Sequence, residues 1–160
     1  MKNFRTILVV WIVLLFIPVV ATAAGQHDHG KGHDMHNEQP GMLSDGAMAI
    51  IGSQVNQGVK GMAHLKNVSE TMAKMGMKTT HHFMIAFVDE KTGEQIEKGT
   101  VALKVTNPNA KVGEAIELIG MDGHFGADIL LDMKGEYHFR LGTKLADDKK
   151  RKYHFHHVVM

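Results

Sequence analysis

From residue 59 onward the chain is built of short runs in which apolar and polar residues alternate, separated by turn signals, and this pattern leaves room for little except β-structure. Alternation at every second position turns one face of a strand toward a core and the other toward water. Val59 to Val68 alternates weakly. His81 to Val88 carries Phe83, Ile85 and Phe87 on one face and then turns at Asp89–Gly93. Thr100 to Thr106 points Val101, Leu103 and Val105 inward and stops at Asn107-Pro108-Asn109. Glu114 to Ile119 offers Ile116 and Leu118, and Phe125 to Leu131 aligns Phe125, Ala127, Ile129 and Leu131. Glu136 to Leu141 and Lys152 to Val159 repeat the pattern with Tyr137, Phe139, Leu141 and with Tyr153, Phe155, Val159. Runs at this spacing predict an all-β sandwich of about seven strands.

The stretch Asp132-Met-Lys-Gly135-Glu-Tyr137-His-Phe139 resembles the tyrosine corner at the start of strand F in immunoglobulin-like Greek-key sandwiches. There a Tyr hydroxyl bonds back to main chain, and Phe139 stands where an antibody domain carries its second Cys. Ser69 to Lys78 reads two ways, as a helix with Ser69 as N-cap or as a Met-rich loop around Gly76.

Ahead of the alternating region the composition changes. Residues 1–24 read as a secretory signal: Lys2 and Arg5 precede the apolar run Ile7–Val20, and Ala21-Thr22-Ala23 meets the small-residue rule for cleavage. The run is short for a membrane-spanning helix, so no membrane span is expected after cleavage, and the expected location is periplasmic or secreted. Residues 25–58, rich in Gly, His, Asp, Asn and Gln, read as a flexible arm and linker with one apolar patch at Met48–Ile51. Residues 59–160 are the expected sandwich domain. Removing Lys2 and Arg5 from the 18 basic residues leaves 16 against 17 acidic ones, a net charge near −1 that gives nucleic acid no purchase.

The chain has 12 His, 12 Met and no Cys, so disulfides, thiolate zinc sites and cysteine catalysis are all excluded. Imidazole suits Cu, Zn, Ni and Fe, and thioether sulfur favours Cu(I). The arm concentrates His27, His29, His33 and His36. If cleavage falls after Ala24, the new terminus Gly25-Gln26-His27 offers a square-planar four-nitrogen site for Cu(II) or Ni(II); cleavage after Ala23 spoils it. In the sandwich, His81 and His82 must point to opposite faces, with Met84 beside His82. His64 shares a face with Met62, His154 with His156, and His124 follows Met121-Asp122-Gly123 in a turn.

MAKMGMKTTHHFMIAF, followed by DGHFGADILLDMKGEYHFRL, resembles the periplasmic immunoglobulin-like iron- and copper-binding proteins that accompany bacterial high-affinity iron uptake. In that family a Met-Gly-Met or Met-Gly-Leu stretch precedes a His-x-acid strand, and an Asp-Gly-Pro-His-Tyr-Gly-Ala-Asn turn supplies another ligand. The resemblance covers roughly residues 60–142 and implies His82 and His124 as ligands, with Met77 or Met75 nearby. Here Met84 replaces the acid of His-x-acid, the turn lacks its Pro, and the family's Met before the turn His appears as Glu117 or Leu118. The three-His terminal strand is also unlike the family. A thioether in place of a carboxylate shifts preference from iron toward copper. YtkA-like and CopC-like copper-associated sandwich domains share the layout.

Enzymatic motifs are missing from the sequence: Ser69 is the lone serine of residues 59–160, outside any nucleophile elbow, and no His-Glu-x-x-His run occurs. The expected function is therefore non-catalytic capture or transfer of a metal ion, copper foremost, with iron, zinc or nickel as alternatives. The expected ligands are His82, His124, Met84, Met77, Met75, His81, Met121 and His64, with the four arm histidines. A metal-handling protein or transporter of the envelope would be the partner, and an exposed sandwich edge offers a homodimer contact. A non-catalytic envelope interaction module, its histidines mere surface decoration, is the competing reading.

Overall fold

The computed structural model describes residues 46–160, which fold as an all-β immunoglobulin-like sandwich. The elements in chain order are β1 (Met48–Asn56), β2 (Val59–Asn67), α1 (Ser69–Lys74), β3 (His81–Asp89), β4 (Gly99–Thr106), β5 (Ile116–Met121), β6 (His124–Ile129), β7 (Gly135–Leu145) and β8 (Lys150–Val159). All pairings are antiparallel, in the order β1-β2-β3-β6-β5-β4-β7-β8. One layer is β1-β2-β3-β6-β5 and the other is β4-β7-β8. The first half of β5 pairs with β4 and its second half with β6, so this strand stitches the two layers together. The chain crosses between layers from β3 to β4 and again from β6 to β7, which makes the connection a Greek key.

The core is the inward set expected from the alternation. Phe83, Ile85, Phe87, Val101, Leu103 and Phe139 are fully buried. The rings of Phe83 on β3 and Phe139 on β7 stack at 5.3 Å with planes 27° apart. They bridge the layers at the place where antibody domains carry their disulfide. The Tyr137 hydroxyl accepts the Met133 N–H at 2.8 Å, so the tyrosine corner is present. Tyr137→Phe strands that N–H and should cost about 1–2 kcal/mol in urea unfolding. An unchanged midpoint would show the corner to be ornamental.

Two expectations need correction. Met48–Asn56, assigned to the arm and linker, forms an eighth strand paired along β2 from Met48↔Lys66 to Asn56↔Val59. A register shift between Ile50 and Gly52 breaks its alternation, so the sequence pattern conceals it. Main-chain pairing, which composition does not record, supplies the order. Side chains of β1 then cover the free edge of β8: Asn56 Nδ2 donates to the Lys152 carbonyl, and Gln54 Oε1 accepts the His154 N–H. Secondly, Ser69 does not cap α1. Asn67 Oδ1 accepts both the Ser69 N–H and its hydroxyl, and the helix ends before Gly76. The leader and His27, His29, His33 and His36 lie outside the described residues.

Candidate metal centre on the first sheet

The outward residues of β2, β3, β6 and β5 form one surface. Cross-strand register sets Lys66 opposite His82 and His82 opposite Asp128. The next row runs His64, Met84, Gly126, Ile119. Beyond it Met62 faces Ala86, and Met121 pairs with His124. Directly opposed residues carry Cβ atoms about 4.5–5.5 Å apart. Five of the sequence-designated residues, His64, His82, Met84, Met121 and His124, thus stand on one face, with Met62 added.

Small residues leave space at the middle of this face. A Cβ at Gly126 would lie 2.7 Å from His82 Nε2, so the imidazole lies over bare backbone. The turn before His124 is a two-residue hairpin with Asp122 at φ 49° and Gly123 at φ 82°, the Asp-Gly pattern of a type I′ turn. Gln95 Nε2 donates to the Gly123 carbonyl and pins it.

His82 and His124 each have one ring nitrogen engaged. His82 Nδ1 lies 2.6 Å from Asp128 Oδ1. His124 Nδ1 lies 3.3 Å from the Asp122 carbonyl. A carboxylate or carbonyl can only accept, so in His82 and His124 Nδ1 holds the proton and the Nε2 lone pair is left free. This is the outer-shell pattern that orients metal-ligating histidines. Burial, then the nearby His124 charge, lowers the His64 pKa and favours its neutral, ligand-competent form. Among the described residues no three His, Asp or Glu side chains already stand at metal-ligand spacing, so imidazoles alone do not close a site. Imidazole nitrogens with the thioethers of Met84, Met62 and Met121 on the same face are a donor set of the kind that suits a soft ion.

The other designated residues fall elsewhere. Met75 and Met77 are exposed in the connection after α1, at the sheet end where β3 begins with His81 and His82. His81 is turned to the core side, 8% exposed, with Nδ1 2.9 Å from the Thr80 hydroxyl, and does not join the face. Burial, then the charge of His157 on β8, pushes its pKa down to about 4 from 6.5. The folded chain thus refuses a proton that the unfolded chain takes up. Stability should be full above pH 6.5 and fall by about 2–3 kcal/mol between pH 6.5 and 4. Urea midpoints across that window should decline in the native chain and decline less in His81→Gln. Asp128 escaped sequence reasoning, although its outward place between Ala127 and Ile129 was a signal for it.

No protein-family model and no curated protein matches the chain. Among solved structures, a DUF4426 family protein from Pseudomonas aeruginosa PAO1 is similar, with a TM-score of 0.51 and 13% identity over 68% of this chain and 94% of that one. At that identity the likeness speaks for the β-fold alone. No helix among the described residues is long and apolar enough to cross a membrane.

Proposed function

We propose that this is a non-catalytic copper-handling protein of the cell envelope. In this reading the free nitrogens of His82, His124 and His64, with thioethers from Met84, Met62 and Met121, take up Cu(I) on the outer face of the first sheet. The single observation that carries the reading is that His82 and His124, on one face with His64, each have Nδ1 tied to an acceptor and Nε2 left for an ion. Met84, where a harder site would carry a carboxylate, favours copper over iron. The arm histidines His27, His29, His33 and His36 collect metal and pass it inward, with Met75 and Met77 as exposed relay sulfurs. Periplasmic or secreted localisation follows from the leader.

A docking reading has its own support. Ile50 (76% exposed) and Ile119 (73%) flank the same face, an apolar rim suited to a protein partner. Metal analysis of the untagged chain, purified from copper-supplemented cells, separates the two. The copper reading expects near-stoichiometric copper that survives desalting. A metal-free protein that retains a bound envelope partner would support the interaction module instead.

A further inference from the structure

A second group of imidazoles stands on the outer face of the other sheet, on residues unrelated to the first. His138 on β7 is directly opposite His156 on β8, and His154 is its diagonal neighbour, opposite Arg140. His138 Nδ1 and His154 Nε2 are 3.2 Å apart, and the rings stack with centroids at 5.3 Å. The His156 ring lies 6.5 Å from that of His138. Two nitrogens on one tetrahedral zinc, each at about 2.0–2.1 Å, are separated by about 3.3–3.4 Å. The existing pair already has close to the edge length of such a site.

We propose that His138, His154 and His156 form a second metal site that takes a borderline divalent cation, Zn(II), with water completing the sphere. Glu136 supplies the outer shell: its Oε2 lies 3.8 Å from His138 Nε2. From beyond hydrogen-bond reach, that negative charge favours the tautomer with its proton on Nε2, which leaves the Nδ1 lone pair on the His154 side. On binding, zinc takes the place of the proton that His154 Nε2 shares with His138 Nδ1; exchange through solvent moves that proton to Nδ1 of His154, so both rings stay neutral and each gives one lone pair to the ion. The Arg140 guanidinium, opposite His154, opposes a cation here, and the Glu136 carboxylate on the same face offsets it. His154 and His156 are exposed and His138 is half-buried on this outer face, so the ion has a path from solvent. No thioether stands among these donors, which separates the site chemically from the copper face.

The inference does not depend on the copper reading, and its test removes that reading from view. The full chain, carrying alanine at His27, His29, His33, His36, His82 and His124, is titrated with zinc chloride alone. One Zn(II) per chain is expected. Adding His138→Ala or His154→Ala should weaken affinity at least tenfold, and Glu136→Gln should weaken it about tenfold while leaving every ligand in place. Equal zinc affinity in all these chains overturns the proposal. A second measurement works without substitutions in the cluster: histidine nitrogen NMR during the titration should show metallation of His138 Nδ1 and His154 Nε2. Shifts confined to other histidines overturn it equally.

Discussion

Phe139→Ala should cost about 3–5 kcal/mol, the range for deleting a fully buried aromatic ring. The ring is 0% exposed and stacks on Phe83 across the two sheets. With no Cys in the chain, no covalent link replaces that contact. Truncation leaves a void between β3 and β7 at the place where the layers are most tightly joined, next to the tyrosine corner that sets the start of β7. A domain of this size holds only about 5–15 kcal/mol in total, so the variant should sit near the edge of folding at 37 °C. Urea unfolding followed by far-ultraviolet circular dichroism measures the effect. A loss below about 1 kcal/mol would mean that the stacked pair is not the keystone of the interlayer packing.

Copper affinity should respond in a graded way to changes on the first sheet. His82→Ala and His124→Ala each remove a nitrogen donor, and each should weaken Cu(I) binding by about a hundredfold or more. Asp128→Asn keeps the donors but loosens the His82 ring, for which about 10–100-fold is the expected loss. Gly126→Ala is the most discriminating change. Its methyl would fall 2.7 Å from His82 Nε2 and push the free nitrogen off the face, and it would also press on the Phe83 carbonyl at 3.1 Å. It should therefore behave like Asp128→Asn in a Cu(I) competition titration, with a loss of only about 1 kcal/mol in urea from the Phe83 contact. Affinity that falls with His82→Ala but ignores Gly126→Ala and Asp128→Asn would place the ion elsewhere around His82.

The strands were legible because the core residues alternate without interruption: Phe83, Ile85 and Phe87, and again Tyr137, Phe139 and Leu141, are all buried. β1 was not, because a register shift scrambles its period and its order comes from main-chain pairing to β2. Of the candidate site, alternation alone placed His82 and Met84 together and His81 apart. That His64 and His124 join them depends on register between β2, β3 and β6, which a single sequence does not encode visibly. Glu114 to Ile119 was the expected extent of β5; the strand lies two residues further on and carries Met121 onto the face. Asp128 and His138 were missed for a related reason. Each gains its meaning from a neighbour on another strand, His82 for the first and His154 for the second.

X-ray absorption at the copper edge is the most direct trial of the central claim, using the Cu(I)-loaded full chain with its four arm histidines changed to alanine. The expected spectrum contains imidazole nitrogen and thioether sulfur around one copper, and the sulfur contribution should fall in a chain that also carries Met62→Leu, Met84→Leu and Met121→Leu. A copper shell without sulfur, unaltered by His82→Ala and His124→Ala, would contradict it.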